Sequence, residues 1–312
     1  MTSTLMHVEP GAEAEILCPA KINLGLSVGA PFENGYHPIA SWMVATDFED
    51  QLSIQCIESD DKNHWHIHFA DDAPVRQTVD WEVESDLIYK AHHAIEKHLG
   101  RKLPAVEVTL SKHIPAGAGL GGGSSDAAGM LVGLNELFEL KLDEKTLLKI
   151  GSELGCDVAF GVSVFLGRPS ALATGFGEVI ESTKFLTPVY MTIILPSFGC
   201  PTKDVYGRFD EIIDPSKVCD RDRVVTLMKD EDLFGVGPFN DLAEAAMLAQ
   251  PQLAETKKKI EEVLSKPIYV TGSGSAMYAI AESEDEAREI RNMVIESCNI
   301  ASVAAKTLEF MH

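Results

Sequence analysis

The chain has 312 residues, 45% of them hydrophobic and 24% charged, with 48 acidic against 26 basic side chains and a formal net charge of −22. That length predicts two domains of ordinary size with ample core. The acidic balance excludes a duplex nucleic-acid footprint or an anionic membrane surface as a partner, since both require basic patches.

No apolar run approaches the ~20 residues of a membrane span. The start, MTSTLMHVEPGAEAE, carries neither a basic region nor an apolar stretch and reads as a frayed acidic lead-in rather than a targeting segment. The first strand signal is AEILCPAKINLGLSV (14–28), broken afterwards by the turn pair Asn34-Gly35. QLSIQCI and HWHIHFA read as further strands. SDLIYKAHHAIEKHLG reads as a helix, with Ser85 as its cap, Leu87, Ile88, Ala91, Ile95 and Leu99 on one face, and Gly100 as its stop. AVEVTL (105–110) is a strand that leads into KHIPAGAGLGGGSSDAAGML (112–131).

After that run, Ala127, Leu131, Leu134 and Phe138 recur at helical spacing, with Ser124 and Ser125 at the expected helix start. DEKTLLKIGSELG is a second helix capped by Asp143. CDVAFGVSVFLG and PSALATGFGEVI read as a buried turn-and-strand region. The chain changes character near Pro188, which places a boundary near residue 185 between domains at 1–185 and 186–312. Beyond it come a strand (VYMTIILP), a helical stretch broken at Pro251, two strands around a second glycine turn (PIYVTGSGSAMYAIAES), a helix and a last strand. That order predicts an α+β sandwich with helices on an antiparallel sheet.

Six glycines lie between Gly117 and Gly129, a costly density unless the backbone itself approaches a ligand. A strand, a glycine loop and a helix N-terminus together present backbone N–H groups and a partial positive charge to phosphate. The P-loop pattern fails, because Gly123 and Ser124 follow Gly122 and no lysine does. Gly117, Gly119 and Gly122 match G-x-G-x-x-G, but a second helix follows where a dinucleotide fold needs a strand. On this reading a Cβ at Gly122 or Gly123 would occupy the phosphate position.

PAGAGLGGGSSDAA resembles the glycine-serine loop of the GHMP kinases, the superfamily of galactose, homoserine, mevalonate and phosphomevalonate kinases. PAKINLGLSV with NGYHPI, LGCDVAF, and VTGSGSAMYA are similar to the signatures of the branch that phosphorylates the 2-hydroxyl of 4-diphosphocytidyl-2-C-methyl-D-erythritol in the non-mevalonate isoprenoid pathway. The likeness runs from about Ile16 to about Ala281. It implies a two-domain α+β GHMP kinase fold: an N-terminal ribosomal-protein-S5-domain-2-like ATP domain, a C-terminal ferredoxin-like sandwich, and the active site in the cleft between them. Two positions depart from the pattern. Ala159 stands where the family has Pro, and Asp86 stands where an Asn near the adenine is usual; a carboxylate only accepts hydrogen bonds, whereas an amide also donates.

The resemblance also implies roles. ATP and Mg²⁺ are the expected cofactors, with the nucleotide held by Pro115, Ala116, Gly117, Ala118, Gly119, Leu120, Gly121, Gly122, Gly123, Ser124 and Ser125, and with Lys112 and Asp86 near the adenine. Asp157 is the expected base and Lys21 its ionic partner. Asn23 shares Lys21's strand face and is placed to bond substrate. Tyr36 and Tyr206 are expected to stack on cytosine, His37 to read its edge, and Thr202, Gly272, Ser273 and Gly274 to line the substrate side.

No protein metal site is expected. His64, His66 and His68 alternate on one strand, but no acid or thiol completes a set, so they read as an exposed face; His92 and His93 read as ordinary helix residues. Cys18, Cys56, Cys156, Cys200, Cys219 and Cys298 form no C-x-x-C pair and predict reduced thiols in a cytoplasmic enzyme. The expected partner is a small molecule, with no nucleic acid and no membrane, and the expected state is a monomer or weak homodimer. The alternatives are a homoserine- or mevalonate-type kinase, a nucleotide-binding regulator without catalysis, and a dehydrogenase.

Overall fold

A computed structural model describes residues 11–58, 62–183, 188–230 and 233–310. Most of the expected lead-in and the expected boundary near 185 lie outside the described residues. The last part of the lead-in is in fact a paired strand: β1 (Glu13–Val28) begins at Glu13, opposite Gln55.

β2 (Ile39–Cys56) follows the Asn34-Gly35 turn and starts well before the stretch read as a strand. β3 (His64–Phe69) is next, then α1 (Leu87–Leu99), which buries Ile88, Ala91 and Ile95. Its cap is Asp86, not Ser85: the Asp86 carboxylate accepts from Ile88 N at 3.0 Å. Gly100 ends the helix in the left-handed region at φ 65°. β4 (Val106–Lys112) leads to α2 (Gly122–Leu137), which starts two residues before the serines, behind a left-handed Gly121. α3 (Glu144–Leu154) is capped by Asp143 as expected.

The next segment corrects the sequence reading. CDVAFGVSVF is not a turn and strand but a helix, α4 (Cys156–Phe165). Every residue from 158 to 164 is buried, so no polar face marks a period of 3.6. It packs tightly on α2, since a Cβ at Gly161 would lie 2.7 Å from the Cβ of Ala128. The hairpin β5 (Ser170–Gly175) and β6 (Val179–Ser182) completes the first half, and β7 (Tyr190–Leu195) opens the second.

α5 (Thr202–Ile212) and α6 (Arg221–Asp230) arise where the sequence reading assigned nothing. The two-residue β8 (Phe239–Asn240) precedes α7 (Ala243–Ala249) and α8 (Pro251–Leu264), which divide at Pro251 as expected. β9 (Tyr269–Val270), β10 (Met277–Ala281), α9 (Glu284–Met293) and β11 (Ala301–Lys306) close the fold.

Among the described residues the strands form two sheets. The first has the order β3-β4-β2-β1-β8, with β5 pairing β2 and β6 pairing β5. The second is antiparallel, in the order β11-β7-β10-β9. Helices α1 to α4 cover one core with Leu52, Ile54, Val108 and Leu131. A second core lies where the sheets meet. It joins Ile22, Leu24 and Trp42 to Met191, Ile193 and Tyr278, and it includes Ala118 and Leu120 of the glycine run. The site therefore sits on a seam that both sheets support. No helix of the described residues is long and apolar enough to cross a membrane.

Candidate active site

The glycine run alternates anchors and bare backbone. Ala118 and Leu120 are buried, while Gly117, Gly119 and Gly121 take φ values of 71°, 80° and 69°, which only glycine adopts readily. Two sheets hold this loop: Lys21 N of β1 donates to Leu120 O at 2.8 Å, and Ala276 N of the second glycine turn donates to Ala118 O at 2.9 Å. A Cβ at Gly119 would lie 2.6 Å from Thr271 O, so the two glycine turns touch through backbone. Beside them is a cavity of about 300 Å³, lined by every residue from 114 to 124 together with Trp81, Asp86, Leu87, Lys112 and Asp126. Gly121 offers the α2 N-terminus no side-chain cap, which leaves helix N–H donors for an anion. Ser125 Oγ and Asp126 Oδ1 are buried without a hydrogen-bond partner.

The two glycines expected to face phosphate differ. A Cβ at Gly123 meets only Leu87 Cδ1, at 4.0 Å, and Gly123 is exposed beside the cavity. A Cβ at Gly122 would strike Ile114 Cγ2 at 2.8 Å, because that position points into the protein. The expectation for Gly122 is corrected accordingly.

Lys112 borders the cavity but is committed inside the protein. Its Nζ donates to Asp50 Oδ2 and to Asp126 Oδ2, each at 2.6 Å, and all three side chains are buried. Burial alone would lower the ammonium's pKa, but the Asp126 and Asp50 charges outweigh it and hold it above its usual value. With two acids on one cation, the Asp126 carboxyl is pushed well up, by burial first, with Asp50 adding to the rise. Asp50 Oδ1 also accepts from His113 N and from Ile114 N at 2.7 Å, pinning the strand end that enters the loop. Lys112→Met is expected to cost ~3–5 kcal/mol in denaturant unfolding, since it leaves two buried carboxyls without a cation. An unfolding free energy equal to the wild type's would refute this account of the triad.

Asp86 is occupied as well: besides capping α1, it accepts from Trp81 Nε1 at 2.8 Å.

Lys21, Asn23 and Asp157 converge at the other end of the loop. Register shifts in β1 between Pro19 and Lys21 and between Asn23 and Gly25 bracket the first two residues. Lys21 Nζ donates to Asn23 Oδ1 at 2.6 Å and lies 3.7 Å from Asp157 Oδ2, so the shared strand face is observed. Asp157 lies in the first turn of α4, but Gly155 rather than Asp157 holds the cap position. A Cβ at Gly121 would stand 2.8 Å from Lys21 Cγ and 3.7 Å from Asp157 Oδ2, so the Lys21 stem and the Asp157 carboxylate flank the loop. Asn23 is fixed on every side: Nδ2 donates to Ser41 Oγ at 2.7 Å, N donates to Thr271 Oγ1 at 3.0 Å, and O accepts from Tyr278 OH at 3.0 Å.

Tyr206 of α5, close enough to Asp157 to feel its charge, lies with its ring 4.9 Å from His37. Its hydroxyl pKa is pushed up to about 12 by burial first, then by the charges of Asp157 and Cys156. His37 is buried and has both ring nitrogens engaged, Nδ1 with Gly29 O at 2.9 Å and Nε2 with Asp210 Oδ1 at 3.2 Å. Tyr36 is exposed and lies against Phe176 rather than Tyr206. Thr202 Oγ1 pairs with Ser273 Oγ at 3.0 Å. Gly272 reaches the site, since a Cβ there would stand 3.3 Å from Lys21 Nζ. Gly274 faces Leu253, Val270 and Cys200 instead.

Sequence reasoning did not single out Asp50, Asp126, Ser41, Thr271, Tyr278, Asp210 or Phe176. Asp126 carried a signal, standing within the quoted glycine-serine run, as did Thr271 and Tyr278 within the quoted VTGSGSAMYA; the others had none, because their partners are distant in the chain. His64, His66 and His68 do lie on an exposed face of β3. His92, read as ordinary, is fully buried beside Glu96 and His93, in a group with metal-ligand spacing. Two observations assign that group to packing. Glu96 already accepts from Lys102 Nζ at 2.7 Å and Leu103 N at 3.1 Å. Asn63, whose Oδ1 accepts from Val106 N, turns its amide nitrogen toward His92 Nε2 at 3.4 Å and so engages that ring nitrogen.

The family model described as the GHMP kinases N terminal domain matches residues 86–166, and that of the GHMP kinases C terminal matches residues 224–300. Fold and site thus define a small-molecule kinase of the GHMP class. A 4-diphosphocytidyl-2-C-methyl-D-erythritol kinase of Exiguobacterium sibiricum is 32% identical over 288 residues, covering 91% of this chain and 94% of that protein. Its counterpart in Persephonella marina is 34% identical over 272 residues, covering 87% and 93%. A crystal structure of 4-(cytidine 5'-diphospho)-2C-methyl-D-erythritol kinase matches with a TM-score of 0.72 at 30% identity, over 94% of this chain and 99% of that one. The chain belongs to the 4-diphosphocytidyl-2-C-methyl-D-erythritol kinase family. A homoserine kinase of Cytophaga hutchinsonii, with a TM-score of 0.70 at 20% identity, shares the fold.

Proposed function

We propose that the protein transfers the terminal phosphoryl group of ATP to the 2-hydroxyl of 4-diphosphocytidyl-2-C-methyl-D-erythritol, in the non-mevalonate route to isoprenoid precursors. The observation that carries the reading is the Asp157–Lys21 pair, 3.7 Å apart and flanking Gly121 where a Cβ would reach both side chains, which sets an acid–ammonium pair at the edge of the glycine cradle. In this reading Asp157 takes the hydroxyl proton as the acceptor oxygen bonds to the terminal phosphorus. The bond from that phosphorus to its bridging oxygen breaks, and ADP leaves with the electron pair. Lys21, 3.7 Å from Asp157, faces the developing charge. Mg²⁺, when bound, would neutralise charge on the triphosphate, and among the described residues the unpartnered Ser125 Oγ and Asp126 Oδ1 are oxygens beside the cradle that would suit it.

The cytidyl end belongs on the side of Asp157 that carries Tyr206 and His37. Because the His37 ring nitrogens are engaged, we assign edge recognition of the base to backbone on the 36–38 segment. We further infer a division of labour across a boundary near 185, with the nucleotide held by the N-terminal part and Thr202, Tyr206 and the second glycine turn contributed by the C-terminal part. The free state of all six cysteines suits a reducing cytoplasm.

The test is ADP release with the cytidyl substrate against homoserine and mevalonate. Turnover on the first alone supports the reading, and turnover on either of the others overturns it. Tyr36→Ala and Tyr206→Ala are each expected to raise the KM for the cytidyl substrate about tenfold, the loss of one ring's stacking on a base, with the KM for ATP unchanged. Wild-type KM in both variants would move the base away from these rings.

A further inference from the structure

Three exposed aromatic rings meet at the tip of the β5–β6 hairpin. Phe32 is 56% exposed, Tyr36 65% and Phe176 39%. The Phe176 ring lies 5.7 Å from each of the other two, edge-on to Phe32 at 84° and tilted by 60° to Tyr36. Single apolar side chains on a surface need no explanation, but three in contact beside a cleft do.

The loop that carries Tyr36 is closed on itself. Phe32 N donates to Tyr36 O and Gly35 N to Phe32 O, while Tyr36 N donates to Asn34 Oδ1. These bonds fix the loop's backbone and leave the Tyr36 ring to its neighbours. The ring against it among the described residues is Phe176.

Phe176 is itself held from below. Its N donates to Glu178 Oε2 at 2.6 Å, and its O accepts from Cys156 Sγ at 3.2 Å. A Cβ at Gly177 would stand 2.8 Å from the Cβ of Cys156, so the hairpin lies directly on the start of α4. Cys156 is the residue before Asp157. One side chain thus touches the loop of the proposed base site, while its backbone touches the turn of the proposed catalytic acid.

We propose that Phe176 is a positioning residue for the cytidyl end of the substrate. Its ring sets the angle of the Tyr36 ring in the free protein, and its backbone ties that ring to the helix turn bearing Asp157. The inference rests on the function proposed above. An exposed tyrosine left alone samples several rotamers and must be ordered when the base arrives. A ring held by an edge or tilted aromatic contact is ordered beforehand, which lowers the cost of binding. The expected signature is in substrate binding rather than in the chemical step.

Phe176→Ala is expected to raise the KM for the cytidyl substrate ~3- to 10-fold, the range of a lost aromatic pair. Its kcat and its KM for ATP should stay within about twofold of wild type. Phe176→Tyr should restore the wild-type KM, and Phe176→Leu, which keeps apolar bulk without a ring, should fall between. The double variant Tyr36→Ala/Phe176→Ala should bind substrate no more weakly than Tyr36→Ala alone, because Phe176 acts through Tyr36. Additive losses, or a wild-type KM in Phe176→Ala while Tyr36→Ala is impaired, would overturn the inference and leave the base site standing. If Tyr36→Ala itself keeps the wild-type KM, the base-site reading fails and this inference with it.

Discussion

Asp157→Asn is expected to lose turnover by ~10²–10⁴-fold while binding ATP nearly as well as the wild type. The amide keeps the size of the side chain but cannot accept the hydroxyl proton. The nucleotide cradle does not depend on that carboxylate, since its loop is held by backbone bonds from Lys21 and Ala276. Folding should also survive. The Asp157 side chain is 39% exposed, and its contact with Lys21 is a long one at 3.7 Å, so its removal leaves no tightly paired charge behind. Lys21 retains its 2.6 Å bond to Asn23. The measurement is single-turnover phosphoryl transfer together with equilibrium ATP binding. More than a tenth of wild-type turnover with unchanged ATP affinity would remove Asp157 from the role of base.

Gly122→Val and Gly123→Val, adjacent in the same helix turn, should fail in different ways. At Gly123 the new side chain enters the open side of the α2 N-terminus, where only Leu87 stands within 4.0 Å of the Cβ. It would occupy the space a phosphate needs, and ATP affinity should fall by at least ~10-fold while the unfolding midpoint holds. At Gly122 the Cβ would stand 2.8 Å from Ile114 Cγ2 and 3.4 Å from Asp50 Oδ2, both in the interior. Overpacking there is expected to cost ~1–3 kcal/mol of stability and to disturb the Asp50–Lys112 pair. Denaturant unfolding and calorimetric ATP binding separate the two. Wild-type ATP affinity in Gly123→Val would mean that the loop does not cradle phosphate, and wild-type stability in Gly122→Val would mean that Ile114 moves aside freely.

Legibility in the sequence followed the range of the interaction. α1 could be read because one face is buried and the other wet, and because Gly100 ends it. α4 could not, since burial on all sides leaves no period to detect. Lys21 and Asn23 could be placed on one face because a strand repeats every two residues, and their 2.6 Å bond bears that out. The cap of α1 was misplaced by one residue, a choice between neighbouring Ser and Asp that only backbone geometry makes.

By itself the sequence determined that a glycine-rich turn must serve something other than regular structure, because that many glycines are destabilising anywhere else. It also indicated the class of chemistry, since its four motifs resemble, in order, those of the GHMP kinases, which implies phosphoryl transfer. The tertiary structure decided which way each glycine faces. Gly122 and Gly123 are identical in sequence and differ only because Ile114 lies behind one and open space behind the other. It decided that the cavity-lining Lys112 is neutralised within the protein, by Asp50 from 62 positions away and Asp126 from 14. It also decided that Phe176 meets Tyr36, which no local pattern announces. Each of these depends on where distant segments meet when two sheets close on one core, and local periodicity carries no record of that meeting.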